Sequence, residues 1–447
     1  MRKICLIVML ICVNLYSNSF AESQTKANLG KPNILLLLSD DQAWTDYSMF
    51  GHKYVKTPQI DKLAQSGVLF RRGYVPTALC RASLMTLASG QYAHVTGITG
   101  NDPQGNKKQD KAELISFIQK FETLPTLLQE QGYLSFQSGK WWEGNYKNGG
   151  FTHGMTQGFP NPGGRHGDKG LEIGRKGLEP CTDFIDMALK AEKPFFMWYA
   201  PFMPHTPHTP PERLFKKYEK YEIPLSHKKY YAMIEWFDET CGELIAYLEK
   251  KGIRENTLIV YISDNGWITR DDRSSFAPRS KLSAFEGGVR QPTIYSWPAK
   301  IRSAEYAGLV SSIDIVPTIL AAAGARQPVR TLPGINLLPV IAGQKEITDR
   351  AVFGESFSHN IADIHKPEAS LLRRWVIQGR YKLIISYDGV DRGYGCNKPD
   401  AKSGPMLFDL SKDPHEKNNL YNTLPDIYKS LRSKIDNWYP LKDTKAY

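Results

Sequence analysis

The stretch PNILLLLSDD, residues 32–41, decides the fold. Its apolar residues follow one another without alternation, which is typical of a strand buried on both faces of a parallel sheet. A second stretch of this kind, LIVYISDNG at residues 258–266, also ends in acidic and amide side chains. Ligands of open α/β sheets bind at the carboxyl ends of the strands. We therefore expect Asp40-Asp41 and Asp264-Asn265 to meet in a functional site.

Neighbouring segments extend this pattern toward an α/β fold. The run FFMWY at 195–199 predicts another buried strand, and Thr57 and Pro58 predict a helix start, as N-cap and first helical residue. The predicted fold class is α/β, with a large, mostly parallel central sheet sandwiched by helices. We assign this domain to residues 31–325.

The pattern of hydrophobic residues in the sequence changes after residue 325. Short runs of β-forming residues predict a small antiparallel sheet, and a terminal helix follows. The predicted strands lie near 375–377, 381–385 and 406–409, and the helix lies within 421–438. We therefore predict a small antiparallel α+β subdomain over residues 326–447.

Composition and charge limit the classes of protein. Of the 447 residues, 41% are hydrophobic and 23% are charged, which excludes a disordered chain, a collagen-like fibre and a multi-span membrane protein. The net charge of +11 favours sulfated, phosphorylated or otherwise acidic partners, although an excess of lysine is also compatible with a simple solvated surface. The charge is diffuse and no recognised nucleic-acid-binding motif is present, so we expect no nucleic-acid partner.

Residues 1–21 predict a signal peptide. Arg2 and Lys3 precede an apolar run over residues 4–13, and Ser19-Phe20-Ala21 offers a cleavage site. The run is too short to span a bilayer, and the residues before Cys12 are not the small ones of a lipoprotein signal. We expect a periplasmic or secreted protein without a stable membrane span.

The cysteines do not form a disulfide framework. Four remain after removal of the predicted signal peptide, and they are scattered through the chain. One disulfide bridge remains an alternative, and the sequence does not indicate which two cysteines would form it. These cysteines are Cys80, Cys181, Cys241 and Cys396.

The two predicted strand ends offer oxygen ligands for a metal ion. Three carboxylates and one amide oxygen suit Ca²⁺ and, less well, Mg²⁺. Without a cation these carboxylates would repel one another. A single strand-end aspartate often only caps a loop or helix, but two adjacent strand ends favour a metal site.

The segment CRASLMTLASGQY, residues 80–92, resembles the signature of the formylglycine-dependent (type I) sulfatases of the alkaline-phosphatase superfamily. In that family a Cys or Ser opens a C-x-P/A-S-R run, and Gly-x-Tyr follows at this distance. Other landmarks occur in the family's order, and the resemblance, to a divergent bacterial arylsulfatase-like subfamily, extends over residues 31–422. These landmarks are Asp40-Asp41, TPQIDKL at 57–63, Gly139-Lys140-Trp141, PHTP at 204–207, SDNG at 263–266, Lys281 before EGG at 286–288, LFDL at 407–410, DPHE at 413–416 and Asn419-Leu420.

The resemblance implies a catalytic role for each matching residue. Cys80 would be oxidised to formylglycine by a maturation enzyme, and the hydrated aldehyde would attack sulfur and release the ester alcohol. Lys140 and Lys281 would bind the sulfate. His205 would protonate the leaving alcohol, with His208 in the repeated PHTP pattern as the second candidate. The implied Ca²⁺ ligands are Asp40, Asp41, Asp264, Asn265 and residue 80.

Two positions depart from the family pattern. Leu84 stands where the family has the signature arginine, and Trp142 stands where it has a histidine that contacts formylglycine. Arg81 lies in the same segment, but its position does not make it a substitute for the missing arginine. A weakened homologue that only binds sulfated glycans is therefore one alternative. A phosphate- or phosphonate-ester hydrolase of the same superfamily is another, although Cys80 argues against a phosphatase.

The substrate is less well defined than the reaction. Export, the basic charge and the abundant aromatic residues favour a sulfated polysaccharide or oligosaccharide. Two segments, 149–154 and 162–168, predict irregular loops of the kind that often carries function. A polar stretch before the C-terminal strands either faces the substrate or is a solvated linker. It contains Glu355, His359, His365 and Arg373.

Overall fold

The structure, a computed structural model, describes residues 30–164, 166–347, 349–391, 403–441 and 445–447. The predicted signal peptide and Cys396 lie outside this part of the chain. The strands are β1 (Asn33–Ser39), β2 (Val68–Phe70), β3 (Gly73–Tyr74), β4 (Asp102–Pro103), β5 (Leu134–Gly139), β6 (His153–Gly154), β7 (Phe195–Ala200), β8 (Thr257–Ser263), β9 (Thr293–Ser296), β10 (Ala304–Tyr306), β11 (Val310–Ser311), β12 (Ala351–Phe357), β13 (Asn360–Ile361), β14 (Leu371–Gln378), β15 (Tyr381–Ser386) and β16 (Met406–Asp409). The α-helices are α1 (Pro58–Ser66), α2 (Cys80–Ser89), α3 (Ala93–Thr96), α4 (Lys108–Ser116), α5 (Leu124–Gln129), α6 (Glu179–Lys190), α7 (Glu212–Glu219), α8 (Leu225–Lys250), α9 (Glu286–Val289), α10 (Ile315–Ala323), α11 (Leu338–Ile341) and α12 (Pro425–Trp438).

Eight strands form the central sheet, in the order β10-β2-β9-β8-β1-β7-β5-β6. Strand β1 lies between β8 and β7 and is parallel to both. Strand β9 runs antiparallel to β2 and β8, whereas the other neighbouring pairs are parallel. The prediction of a mostly parallel sheet is confirmed.

Helices cover both faces of this sheet, which explains why β1 is apolar at successive positions. Ile34 and Leu36 pack with residues of α2, α5 and α10 on one face. Leu35 and Leu37 pack with residues of α1, α6 and α8 on the other face. Each of these side chains is at most 1% exposed, and full burial of such a side chain stabilises the fold by about 1.5–3 kcal/mol.

A separate antiparallel sheet lies toward the C-terminus, with strand order β12-β14-β15-β16. Helix α12 packs on it through Leu431 and Ile435. The three predicted strands and the helix are present, whereas β12 was not predicted because Gly354 and Glu355 interrupt its pattern. A side chain at Gly354 would overlap the Trp375 ring, so the close approach of β12 and β14 requires glycine there. The domain boundary near residue 325 stays a prediction.

The start of α1 is stabilised by a tertiary contact. Pro58 is the first helical residue, as predicted, but the Thr57 hydroxyl does not cap the helix and instead donates to Asp61. The Asp238 carboxylate of α8 accepts the N–H groups of Gln59 and Ile60 at 3.1 and 2.8 Å. When this carboxyl group is ionised, it also interacts favourably with the helix dipole.

The described cysteines form no disulfide. Cys80, Cys181 and Cys241 are buried free thiols. In the part of the chain that the structure describes, no helix has the length and apolar character needed to cross a membrane.

Candidate active site

The carboxyl ends of β1 and β8 bring four predicted site residues together. Ser39 pairs with Ser263 in the register of these parallel strands, so the residues that follow each strand become neighbours. The Asp41 N–H donates to Asp264 Oδ1 at 3.0 Å, and Asn265 Nδ2 donates to Asp41 Oδ1 at 2.6 Å. Asp41 has a φ of +66°, in the left-handed region that Asp tolerates better than most residues.

Cys80 lies beside this cluster as the first residue of α2, a helix that is buried along its whole length. One ligand atom each from Cys80, Asp40, Asp41 and His205 lies within 4.8 Å of the others. Burial raises the pKa of the Cys80 thiol to about 12. The thiolate, which is the nucleophilic form of cysteine, is therefore disfavoured at neutral pH.

Two buried lysines contact the carboxylates. Lys140 Nζ donates to Asp40 Oδ1 at 2.6 Å, and Lys281 Nζ donates to Asp41 Oδ1 and Oδ2 at 2.6 and 2.7 Å. Burial alone would raise the pKa of Asp41, but Lys281 and then His205 and Lys140 lower it to about 2. The two ammonium groups thus keep cationic charge at the floor of the site.

The oxygen atoms of the cluster fit a hard cation. Asp40 Oδ2, Asp264 Oδ2 and Asn265 Oδ1 are buried and accept no hydrogen bond from the described residues. Burial raises the pKa of Asp40 well above its usual value and also raises that of Asp264. A divalent cation would supply the missing partner for these oxygens and would favour the ionised carboxylates.

His205 belongs to the cluster, whereas His208 packs between the Tyr230 and Trp267 rings. His205 Nδ1 donates to the Thr206 carbonyl at 2.5 Å, which leaves Nε2 directed to Asp41 Oδ2 at 3.4 Å. Burial, followed by Lys140, lowers the pKa of His205 well below its usual value. His208 is 6% exposed and packs against the Trp267 ring, and burial lowers its pKa to about 4.

Arg175 holds the loop that carries His205. Its guanidinium donates to the Phe202 carbonyl at 2.6 Å, to the Thr209 hydroxyl at 3.0 Å and to the His205 carbonyl at 3.4 Å. The Phe202 ring in turn stacks on the His205 imidazole, with centroids 4.2 Å apart. The arginine therefore fixes both the backbone of the loop and the ring that positions His205.

A cavity of about 180 Å³ opens above the cluster. His205 and Lys281 lie in its wall, and aromatic and polar side chains from other segments complete the lining. The aromatic ones are Trp142, Trp267 and Phe276, and the polar ones that could bind a ligand include Asn101, His166 and His359. His166 lies in a glycine-rich loop that the sequence indicated as functional, and His359 lies in the polar stretch whose role the sequence left open. No local signal identified Asn101.

The two residues that depart from the family pattern are buried in the same hydrophobic cluster, and of the two it is Trp142 that lines the cavity. The Trp142 ring lies 5.1 Å from Lys140 Nζ and 5.3 Å from the His166 ring. Arg81 turns to Glu143 and donates to its carboxylate at 2.8 and 2.7 Å.

Comparisons with known proteins agree with this architecture. Residues 32–325 match the family model described as Sulfatase, and residues 280–439 match the one described as N-sulphoglucosamine sulphohydrolase, C-terminal. The chain is 26% identical to arylsulfatase A of Bos taurus, over 92% of this chain and 88% of that protein.

Two solved structures show the same fold. Ps i-CgsB in complex with k-i-k-neocarrahexaose has a TM-score of 0.71 at 24% identity, with coverage of 91% of this chain and 92% of that one. A protein in complex with its substrate D-glucosamine-2-N,6-O-disulfate has a TM-score of 0.69 at 20% identity, with coverage of 91% and 97%.

Proposed function

The chain belongs to the sulfatase family, and on that premise we propose that it is an exported, calcium-dependent hydrolase of sulfated sugars. It is a sulfuric ester hydrolase by family. The observation that carries the proposal is the cluster that Cys80, acidic ligands, two lysines and His205 form beneath the cavity. This arrangement combines a nucleophile position, a cation site, sulfate-binding charges and a proton carrier.

The proposed cation is Ca²⁺, with Mg²⁺ as the less suitable ion. Asp40, Asp41, Asp264 and Asn265 would hold it together with residue 80. A bound cation would lower the pKa of the nucleophile and neutralise charge on the sulfuryl oxygens. The buried oxygens of Asp40, Asp264 and Asn265 that accept no hydrogen bond from described residues support this assignment.

Cys80 is the proposed precursor of formylglycine. The thiol lies among the proposed cation ligands, and its raised pKa argues against direct attack by a cysteine thiolate. Formylglycine would supply a hydrated aldehyde oxygen as nucleophile. The proposal implies a formylglycine-generating maturation enzyme as a partner of this chain.

The remaining side chains would match the negative charge of the sulfate and supply a proton to the leaving alcohol. Lys140 and Lys281 would bind the sulfuryl oxygens, whose negative charge they match. His205 would take up and deliver a proton at Nε2, because its Nδ1 hydrogen is engaged by the Thr206 carbonyl. A proton delivered from Nε2 to the ester oxygen would allow the alcohol to leave uncharged.

The proposed substrate is a sulfated polysaccharide or one of its oligosaccharides. The aromatic lining of the cavity can pack against the apolar face of a sugar ring, and the net positive charge attracts an anionic glycan. Export, proposed from residues 1–21, would bring the enzyme to such extracellular polymers. The sugar ligands of the two similar structures are compatible with this substrate class.

Sulfate release from sulfated oligosaccharides tests the proposal. We expect Ca²⁺-dependent release by protein from the native host, and no release by Cys80→Ala, which should fold normally. The mass of the peptide over residues 73–81 reports whether Cys80 is converted. Binding of sulfated sugar without release would favour the weakened-homologue alternative, and faster cleavage of matched phosphonate esters would favour the other hydrolase.

A further inference from the structure

We propose that Asn101, held in orientation by His359, recognises a hydroxyl group of the substrate next to the sulfate ester. The pair would make the enzyme select sulfated sugars over sulfate esters that lack such a hydroxyl. This inference rests on the proposed function and assigns its substrate selectivity to two residues from distant parts of the chain.

The backbone holds this pair rigidly in the wall of the cavity. Strand β13 runs parallel to β4 and pairs Asn360 with Asp102, and the Asn101 N–H donates to the His359 carbonyl at 2.9 Å. A side chain at Gly100 would meet the His359 carbonyl oxygen at 2.8 Å, so the close approach requires glycine. The C-terminal part of the chain thereby supplies a wall of the catalytic cavity.

A chain of hydrogen bonds fixes the orientation of both side chains. The Arg81 N–H donates to Asn101 Oδ1 at 3.2 Å, which identifies that atom as the oxygen. Asn101 Nδ2 therefore faces His359 Nε2, at 3.2 Å, and must donate to it. His359 Nδ1 then carries the hydrogen and donates to Asn360 Oδ1 at 2.7 Å. In these two hydrogen bonds His359 accepts at Nε2 and donates at Nδ1, which defines the tautomer that orients Asn101.

This orientation determines what the pair offers a ligand. The Asn101 amide has two hydrogens, of which one is used by His359. Because Asn101 lines the cavity, its second amide hydrogen would be a donor for an oxygen of the substrate. A neutral donor fits a hydroxyl oxygen, while the anionic sulfate is already matched by Lys140 and Lys281.

The size of the cavity places that hydroxyl close to the ester. A volume of about 180 Å³ is below the usual range of about 300–1,000 Å³ for small-molecule pockets, so the cavity suits a single ring. Trp142, Trp267 and Phe276 provide apolar surface for the faces of such a ring. With the sulfate at the lysines, a hydroxyl of the same ring meets Asn101.

The test compares two substrates with the variant His359→Ala. One substrate is a sulfated monosaccharide with neighbouring hydroxyls, and the other is 4-nitrophenyl sulfate, which has none. We expect kcat/KM for the sugar to fall at least about tenfold more than kcat/KM for the aryl ester, because His359→Ala releases the Asn101 amide that binds the sugar hydroxyl, and the aryl ester makes no such contact. His359→Gln, which retains an acceptor for Asn101, should recover part of the ratio.

A matched control lies in the same polar stretch. His365 has a side chain that is 65% exposed, and His365→Ala should keep the wild-type ratio of the two rates. An equal loss on both substrates in His359→Ala would overturn the inference and leave the pair a purely structural role near Cys80. An unchanged ratio would overturn it as well.

The inference can fail separately from the proposed function. If the wild-type protein released no sulfate from either substrate, the proposed hydrolysis would be wrong. Calorimetric binding of the sulfated monosaccharide would then decide the recognition role, with weaker binding by His359→Ala expected. Equal binding by wild type and variant would overturn it.

Discussion

Arg81 and Glu143 form a buried, bidentate ion pair, with Nε–Oε1 and Nη2–Oε2 distances of 2.8 and 2.7 Å. The pair joins the residue after Cys80 to the residue after Trp142. It therefore connects the start of α2 to the segment that carries Lys140. These are also the two segments in which Leu84 and Trp142 replace residues of the family pattern.

Removal of one partner of this pair should destabilise the protein. Glu143→Gln leaves the Arg81 guanidinium buried without its carboxylate, and the two side chains are 3% and 4% exposed. The free energy of unfolding should fall by about 3–5 kcal/mol, measured by denaturant titration. In the exposed pair of Glu172 and Lys176, Glu172→Gln should cost less than about 1 kcal/mol. Equal costs for the two variants would contradict this prediction.

Arg175 should act on catalysis by positioning His205. We expect Arg175→Ala to lower kcat by about 100-fold, since a displacement of about 1 Å can have this effect. The loss should be larger for esters with poorly leaving alcohols, because these depend most on the proton from His205. Arg175→Lys should recover part of the rate. A loss that does not vary with the leaving group would indicate a general structural effect instead.

Calcium should reverse the effect of a substitution at Asp264. Burial raises the pKa of this carboxyl and Asp41 adds to the shift, so Asp264→Asn should match or exceed the wild-type melting temperature without Ca²⁺. With Ca²⁺ the wild-type protein should be the more stable one, because it binds the ion more tightly. Asp272→Asn, at a side chain 55% exposed, should respond to Ca²⁺ as wild type does. An identical calcium response in Asp264→Asn would contradict the cation site.

Asp238 should make stability depend on pH. Burial raises its pKa from 3.8 to about 7, although the N–H groups of Ile60 and Gln59 oppose the shift. Between these values the unfolded chain has lost the proton and the folded chain retains it. The free energy of unfolding should therefore fall as pH rises, by at most roughly 1.4 kcal/mol per pH unit.

Asp238→Asn removes this titration. The melting temperature of Asp238→Asn minus that of wild type should be larger at about pH 8 than at about pH 5, measured by calorimetry at both values. The comparison is a difference between two pH values, so any constant cost of losing one N–H acceptor cancels. A pH-independent difference would show that Asp238 is ionised throughout this range.

The sequence predicted those features that depend on local pattern. Continuous apolar runs identified β1 and β8, and parallel pairing then required Asp40 and Asp264 to be neighbours. Contacts between remote segments left no such signal. The pairing of Asn101 with His359 depends on where the segment after β12 docks, and the Asp238 cap depends on how α8 packs on α1. Such contacts are set by tertiary packing, which residue spacing does not encode.

The complete burial of α2 would make the timing of the proposed maturation decisive. Cys80 is 0% exposed, so the proposed maturation enzyme could reach it only on a chain that has not yet closed around that helix. Conversion, as proposed, would compete with folding, and a chain that folds first would keep its thiol. The active fraction of a preparation would then equal the fraction of chains that were converted before they folded. Later addition of the maturation enzyme would not change this fraction.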